Sequence, residues 1–210
     1  MPYFQNKNVN ILFIHIPKTG GSSLELYFSN KYKIPLDIKS LHGFLNIEIK
    51  KHNNINNNST LQHMIYQTIV FYKDFFKINM NNIEIITIVR NPYERIMSDL
   101  FSLNKVNIHS SKEDVYNSIK IYVNETLDNH NIPQYIFITD NNKQLISNLK
   151  ILKTETLQQD MIDLGHKDFN IKFNYNTNKI NYYDYLNNDS INFINEFYDD
   201  DFKILNYDKK

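Results

Sequence analysis

Two runs of nearly continuous apolar residues dominate the hydropathy pattern of this chain. They cover residues 9–16 and 83–89 and are rich in isoleucine and other β-branched residues. Such runs are typical of strands buried on both faces, as in a parallel sheet. Each run ends at a turn that leads into a segment with helical character. The pattern therefore predicts two strand–turn–helix units.

The rest of the chain predicts more helices and two short strands. Helices are predicted at residues 61–71, 112–128, 156–164 (ending at Gly165) and 190–198, and strands at residues 134–138 and 149–152. Ser59 or Thr60 is expected to cap the first of these helices. Strands that alternate with helices indicate an α/β fold of three layers, with a mostly parallel central sheet and flanking helices. The length favours one domain spanning residues 1–210.

Composition and charge exclude several classes of protein. The 210 residues carry 23 basic and 23 acidic side chains, and 41% of them are apolar. The apolar content argues against disorder, and the equal numbers of basic and acidic side chains argue against bulk nucleic-acid binding. No apolar run reaches the length of a membrane span, and the polar N-terminus is unlike a signal peptide, so we expect a cytoplasmic protein. The lack of cysteine excludes disulfides and thiolate chemistry.

A codon bias makes the rarer residues informative. Asparagine, isoleucine, lysine, tyrosine and phenylalanine abound while alanine is absent, which indicates an AT-rich microbial or viral genome. Two of the four glycines are adjacent, as Gly20 and Gly21, and the only two arginines are Arg90 and Arg95. These residues direct attention to the turns that follow the two apolar runs.

The first turn has the chemistry of an anion site. Paired glycines allow the backbone to approach a phosphate closely, and the following helix N-terminus adds unpaired N–H groups. Lys18 supplies a positive charge. Hydroxyl donors, of which the last two can also cap the helix, are Thr19, Ser22 and Ser23. The lysine precedes the glycines, so the G-x-x-x-x-G-K-[ST] pattern of nucleoside triphosphatases is not met.

The second turn offers another anion site. Arg90 follows the strand at the sheet edge where α/β proteins bind ligands, and a guanidinium forks well onto oxyanions. Pro92 suits the first turn of a helix, on which Ser98 can share a phosphate with Arg90. Arg95 falls on a different side of that helix, where a salt bridge or a packing role is favoured. A cation in place of a magnesium-binding carboxylate indicates a second anion, and hence a nucleotide phosphorylated at two positions.

The segments IHIPKTGGSSLELYF and IVRNPYERIMSDLFSL resemble the 5′-phosphosulfate and 3′-phosphate motifs of the sulfotransferases. These enzymes use 3′-phosphoadenosine 5′-phosphosulfate (PAPS). The resemblance is closest to the carbohydrate-type branch, which includes heparan and chondroitin sulfotransferases and their bacterial relatives. Weaker similarities occur at residues 133–134, 153–160 and 201–207.

The resemblance implies a fold, a reaction and residue roles. The fold would be that of sulfotransferases, with a P-loop-like strand–turn–helix. Lys18 would stabilise the sulfate, the amides of residues 20–23 would hold the 5′-phosphate, and Arg90 with Ser98 would hold the 3′-phosphate. The sulfuryl group would pass to a hydroxyl of a carbohydrate or glycan, leaving 3′-phosphoadenosine 5′-phosphate, with no metal required.

The general base is expected to be a histidine upstream of the second strand. His63 is favoured and His42 is the alternative, because the Gln62–His63 pair resembles the bacterial members. His15 is interpreted as a packed core residue. The remaining histidines are interpreted as surface or helix-end residues: His52, His109, His130 and His166.

Two other functions remain open at this point. A small nucleotide kinase with an irregular phosphate loop would be expected to need magnesium. A degenerate sulfotransferase fold would bind nucleotide or glycan without turnover. Replacing His63 should abolish turnover and spare nucleotide binding only if the chain is a sulfotransferase.

Overall fold

A computed structural model describes residues 2–36, 59–140, 142–170 and 180–210. Within these ranges a four-stranded sheet has the order β1–β2–β3–β4, with β1 (Tyr3–Gln5), β2 (Asn10–Ile14), β3 (Glu84–Val89) and β4 (Leu149–Lys153). Strand β3 pairs in parallel with both β2 and β4, and β1 pairs with β2 in the antiparallel sense. The sheet is therefore mixed, and its parallel part includes both strands that the apolar runs predicted.

Eight α-helices and one 3₁₀ helix accompany the sheet in the same ranges. They are α1 (Gly21–Tyr32), α2 (Tyr66–Phe71), α3 (Pro92–Ser102), α4 (Lys112–Tyr122), α5 (Tyr135–Ile138), α6 (Leu157–Asp163), the 3₁₀ helix (Tyr182–Tyr185), α7 (Asn188–Phe197) and α8 (Asp199–Ile204). Helices α1 and α3 follow β2 and β3, as predicted.

Both faces of the sheet are buried by helices. Side chains alternate along a strand, so Phe13 of β2 points to one face and Ile14 to the other. Phe13 packs in the core formed with α1 and α6, and Ile14 in the core formed with α2, α5 and α8. Helices α3, α4 and α7 enclose a third apolar cluster. The α/β class with flanking helices is confirmed.

Residues 134–138 were predicted as a strand, and this prediction is wrong. They form the short helix α5, because the buried carboxylate of Asp201 accepts hydrogen bonds from the backbone N–H groups of Gln134 and Tyr135 at 2.9 and 2.8 Å. These are the donors that the first turn of a helix leaves unpaired. The periodicity of four apolar residues could not show that a distant carboxylate would satisfy them.

Two predicted helices are shorter than expected. Helix α2 begins only at Tyr66, because the backbone N–H and hydroxyl of Thr60 bind Asp128 and do not cap a helix. Helix α4 ends at Tyr122. The side-chain amide of Asn131 donates to the carbonyls of Tyr122 and Val123 at 3.0 and 3.1 Å, which stabilises a turn at that point.

The C-terminal region agrees with the sequence apart from one helix. Gly165 follows α6 with a φ of 89°, the left-handed conformation expected of a residue that ends a helix. Helix α7 is not the last, because α8 follows directly after Tyr198. In the described part of the chain, no helix combines the length and apolar character needed to cross a membrane.

Candidate active site

A cavity of about 540 Å³ lies at the carboxyl ends of β2 and β3. This is the edge at which open α/β sheets bind ligands, and the volume is that of a small-molecule site. Most of the residues predicted to form a site line this cavity: Lys18, Gly20, Gly21, Ser22, Ser23, His63, Arg90 and Ser98. Residues separated by more than 70 positions in the sequence thus meet around one space.

The first turn takes a conformation that exposes backbone donors. Lys18 and Gly20 both have left-handed φ angles, 67° and 91°. Gly20 is the N-cap of α1, so the helix starts at Gly21 and not after a serine cap. The expectation that Ser22 or Ser23 caps the helix is therefore wrong, and both serines lie in its first turn beside the cavity. The unpaired N–H groups of such a turn attract anions.

Among the predicted site residues that the structure describes, Thr19 is the one that does not line the cavity. It is fully buried, and its hydroxyl donates to the carbonyl of Ile16 at 2.8 Å. Its own carbonyl accepts the hydroxyl of Thr154 at 2.6 Å. The side chain of Thr19 therefore fixes the turn between β2 and α1 and does not face a ligand.

Arg90 is held at the cavity wall by several contacts. Its guanidinium donates to the carbonyl of Lys18 at 3.3 Å and to the carboxylate of Glu94 at 3.1 Å. It also lies over the ring of Tyr182, 5.7 Å from the centroid. The amide of Gln134 binds the backbone N–H and carbonyl of Arg90 at 2.9 and 2.8 Å. The side chain is thus positioned before any anion binds.

Lys18 and its charged neighbours determine the electrostatics around the turn between β2 and α1. Burial lowers the pKa of its ammonium group, Asp99 raises it, and the neighbouring Arg90 lowers it further. Asp99 itself is buried. Burial alone would raise its pKa, but hydrogen bonds from His130 and Tyr122 and the charge of Lys18 hold the pKa below its usual value. An ionised carboxylate therefore lies behind two cations, Lys18 and Arg90, that face the cavity.

His63 also lines the cavity and is paired with a carboxylate. Its Nδ1 is 2.7 Å from Asp128 Oδ2. Since an ionised carboxylate only accepts hydrogen bonds, Nδ1 carries the proton and Nε2 has the free lone pair. Burial lowers the pKa of His63, with Asp128 opposing this effect, so the imidazole is neutral near pH 7. A neutral imidazole oriented by a carboxylate is a suitable general base.

His15 is buried in the core, as predicted, and belongs to a polar network there. It follows β2 and pairs through Nδ1 with Glu25 of α1. The amide of Gln62 donates to both carboxylate oxygens of Glu25 at 3.1 and 3.0 Å. The ring of His15 also meets that of His63 edge-on, with centroids 5.1 Å apart. Through Glu25, this network connects helix α1 to the segment that carries His63.

His130 was interpreted as a surface residue, and the structure corrects this. It lines the cavity, and its Nδ1 donates to Asp99 Oδ2 at 2.9 Å. Its ring packs edge-on against His63, with centroids 5.0 Å apart. The asparagine-rich surroundings of His130 suggested an exposed loop. The consecutive left-handed residues before it, Asp128 and Asn129, show instead a tightly constrained turn.

Of the two roles expected for Arg95, a salt bridge or packing, the structure shows packing. It is almost fully buried and forms no ion pair with Glu94 or Asp99. Its guanidinium donates to the backbone carbonyls of Pro17 at 3.0 Å, of Ile132 at 2.9 Å and of His130 at 2.6 Å. Arg95 therefore connects the first turn to the loop that carries His130.

The other histidines lie elsewhere. His109 is exposed, and His166 lies near Lys31 with its Nδ1 at 3.1 Å from the ammonium group. His42, the alternative base, and His52 lie outside the described residues. Among the described histidines, His63 is thus joined at the cavity only by His15 and His130.

The fold and this cavity define an α/β protein in which cationic side chains and a histidine–carboxylate pair line one cavity at the edge of the sheet. A comparison with family profiles matches residues 1–130 to the sulfotransferase family. That range is more than half of the 210 residues and contains both turns and His63. The chain therefore belongs to the sulfotransferase family. Curated proteins gave no significant match, and neither did solved structures.

Proposed function

We propose that this sulfotransferase moves a sulfuryl group from PAPS to a hydroxyl of a carbohydrate or glycan. One observation carries the proposal: a single cavity is lined by Lys18, Arg90 and Ser98 and by the neutral, carboxylate-oriented His63. Cationic and hydroxyl groups suit the two phosphates of the donor. His63 is the group needed to deprotonate an incoming alcohol.

The turn at residues 18–23 would act as the phosphate-binding loop for the phosphosulfate. Lys18 and Gly20 have left-handed φ angles, and turns with left-handed residues are typical of anion nests. The hydroxyls of Ser22 and Ser23 lie beside the cavity. The charge of Lys18 would stabilise the transferred sulfuryl group and the bridging oxygen as the bond to sulfur breaks.

Arg90 and Ser98 would hold the 3′-phosphate. Both line the cavity, and Arg90 is fixed through its backbone by Gln134. Glu94 occupies one side of the guanidinium in this structure. A bound phosphate would therefore compete with Glu94 for one N–H pair of Arg90.

The reaction would be an in-line displacement at sulfur. The acceptor oxygen forms a bond to sulfur while the bond from sulfur to the 5′-phosphate oxygen breaks. The acceptor proton moves to Nε2 of His63, whose Nδ1 proton stays with Asp128. The electron pair of the broken bond leaves on 3′-phosphoadenosine 5′-phosphate. Positive charge at the sulfuryl group comes from Lys18, so the proposed step uses no metal.

The proposals of a carbohydrate acceptor and of a single domain have separate support. The acceptor class follows from the resemblance of the two motifs to the carbohydrate-type branch. Residues beyond the matched range reach the site: Thr154 binds the first turn, and Glu155 accepts the N–H of Asn91 at 2.7 Å. We therefore treat residues 1–210 as one sulfotransferase domain.

Calorimetric titration tests the donor site. The full chain is titrated with 3′-phosphoadenosine 5′-phosphate, and ATP with magnesium serves as the comparison. We expect binding of the bisphosphate that weakens at least tenfold in R90A, and weak binding of ATP. Preference for ATP with magnesium would indicate a nucleotide kinase, and binding of neither would indicate a degenerate module.

Turnover of PAPS with a panel of glycan acceptors tests the base. H63A should lose turnover by about 10²–10⁴-fold while keeping bisphosphate affinity, because general base catalysis contributes that much. H109A is the matched control, since His109 is exposed and outside the cavity. Full turnover in H63A would show that another group is the base.

A further inference from the structure

Three side chains that can donate electron pairs to a metal ion converge around His63. His63, Asp128 and His130 each offer one ligand atom, and these atoms all lie within 4.8 Å of one another. Two imidazoles and one carboxylate are the ligand types that zinc and other late first-row divalent ions prefer. Coordination replaces the proton between His63 Nδ1 and Asp128 Oδ2, which are 2.7 Å apart, and requires side-chain shifts of about 1 Å, since Zn–N and Zn–O bonds are near 2 Å.

Hydrogen bonds from surrounding residues orient two of the three donors, His130 and Asp128. Asp99 accepts the Nδ1 proton of His130 at 2.9 Å, which leaves Nε2 of His130 as the ligand atom. The hydroxyl of Thr60 donates to Asp128 at 3.0 Å. Such outer partners are typical of built metal sites, where a histidine ligand gives its other N–H to a carboxylate.

The backbones that carry the donors are also fixed. The side-chain amide of Asn129 donates to the carbonyl of His63 at 2.9 Å, which joins the two loops that supply the ligands. Arg95 holds the carbonyl of His130. The consecutive left-handed residues Asp128 and Asn129 show that the loop is constrained in a costly conformation. The donors are therefore placed before a cation arrives.

Access favours a cation at this site, and Asp128 supplies a carboxylate beside the two imidazoles. Asp99 supplies a second carboxylate behind His130, where it also interacts with Lys18. The guanidinium of Arg95 is directed at backbone carbonyls and away from the ligand atoms. Both histidines line the cavity, so a cation can enter from solvent and keep an open coordination position toward the cavity.

We propose that His63, Asp128 and His130 form a binding site for one divalent cation of the zinc type, whose occupation inhibits the enzyme by engaging the imidazole of His63. Binding follows from the arrangement of the donors alone. The inhibition rests on the proposed function, because it requires His63 to be the base. Zinc is thus inferred to be an inhibitor of the transfer and not a participant in it.

Zinc binding to the full chain is measured by competition with a chromophoric zinc indicator, in a buffer free of phosphate and chelators. We expect one zinc ion per chain, and at least tenfold weaker binding in H130A and in D128A. D99N removes the carboxylate that accepts the Nδ1 proton of His130 and should weaken zinc binding about 10–100-fold. Asp99 also accepts the hydroxyl of Tyr122, so the fold of this variant is checked as well. H109A and H166A are the matched controls and should bind zinc like the wild type. Circular dichroism of each variant checks that it is folded.

Two results would overturn the site: no zinc bound at millimolar concentration, or equal affinity in the wild type and folded H130A. Inhibition is measured separately as PAPS turnover against zinc concentration, with EDTA reversal and magnesium as the comparison ion. Each variant is compared with its own zinc-free rate, and H130A should need at least tenfold more zinc. Zinc binding without any PAPS turnover would refute the proposed function and leave the site standing. Turnover without zinc binding would do the reverse.

Discussion

The imidazole of His15 lies directly against the backbone of Gly21, so that a Cβ added at position 21 would come within 2.6 Å of its ring. Gly21 lacks a side chain because a histidine fills that place. The neighbouring Gly20 serves a different purpose, because it adopts a φ of 91° and has only Leu157 near its missing Cβ, at 3.9 Å. Packing against His15 thus requires the glycine at position 21, and the left-handed backbone favours the glycine at position 20.

Gly21→Ala should destabilise the protein by about 1–3 kcal/mol, the usual cost of overpacking a tight site. The new methyl group must displace His15, which is also held by Glu25. Urea unfolding measures the loss. The double variant H15A/G21A should cost less than the sum of the single variants, because the smaller side chain removes the clash.

Gly20→Ala is the matched control for this pair. Its cost of about 1–2 kcal/mol comes from a left-handed backbone that alanine disfavours. The substitution H15A should therefore leave the cost of G20A unchanged. If H15A relieved both glycine substitutions equally, a direct clash between position 21 and His15 would be excluded.

Asp128→Asn should lower turnover by about 10²–10⁴-fold, the range that a general base contributes. An asparagine can present its amide N–H to Nδ1 and so move the proton of His63 to the nitrogen that must accept one. Asp128 also raises the pKa of His63.

The pH dependence of turnover gives a second readout for Asp128. The base must be neutral, so turnover falls as the pH drops through the pKa of His63, which burial holds below its ordinary value of 6.5. Losing the carboxylate should move this acid limb to still lower pH. Asp168→Asn, an exposed carboxylate bound to Lys31, is the control. An unchanged rate and acid limb in D128N would refute the pairing as a functional one.

Glu94→Gln should strengthen binding of 3′-phosphoadenosine 5′-phosphate by about two- to fivefold, since a partly exposed ion pair contributes up to about 1 kcal/mol. Its carboxylate is 3.1 Å from Arg90 in the structure and competes with a phosphate for the guanidinium. Calorimetric titration provides the measurement, with Glu113→Gln as an exposed control. Weaker binding in E94Q would mean that Glu94 supports Arg90 in the bound state.

The sequence could predict the elements whose signal is local. The runs that became β2 and β3 are continuous and apolar, and each ends at a turn marked by rare residues. Lys18, Arg90 and Ser98 followed from those turns, and the structure places them around one cavity. Short elements such as α5 could not be predicted, because the group that stabilises it, Asp201, is 66 residues away from Tyr135.

The carboxylate partners of His63 and His130 could not be predicted from local sequence patterns either. His130 pairs with Asp99 across 31 positions, and His63 with Asp128 across 65. The asparagines around His130 look like loop residues, yet Asn129 and Asn131 bind backbone carbonyls that shape the site. The one local signal for this site was that Asp128 and His130 lie two positions apart in a loop that follows a helix.

Asp201 predicts a pH dependence of stability. Burial raises the pKa of its carboxyl from the ordinary value of 3.8 to about 6, while hydrogen bonds from Gln134 and Tyr135 oppose the change. The folded state therefore holds a proton that the unfolded state has lost, so this stability is present at low pH and is lost as the pH rises toward 6. The penalty of Asp201→Asn should thus be largest near pH 4 and smaller by about 1–3 kcal/mol at pH 7.

Urea unfolding of D201N and wild type across this pH range makes the test. Asp200→Asn is a control of opposite sign, because the hydrogen bond from Lys143 lowers the pKa of Asp200. That contribution is present at neutral pH and is lost as the pH falls, so the penalty of D200N should shrink at low pH. A penalty for D201N that grew with pH would show that Asp201 is ionised in the folded protein.

The two arginines of the chain should separate binding from stability when each is replaced by lysine. Arg95 donates to three backbone carbonyls from a buried position, and an ammonium group cannot reach all three, so R95K should cost about 1–3 kcal/mol. Arg90 is partly exposed, and a lysine can keep its pairing with Glu94, so R90K should cost less than about 1 kcal/mol. R90K should instead weaken bisphosphate binding at least tenfold, because lysine lacks the fork that holds two phosphate oxygens. Urea unfolding and calorimetric titration are run on both variants. A large stability loss in R90K with intact nucleotide affinity would reverse the roles given to these residues.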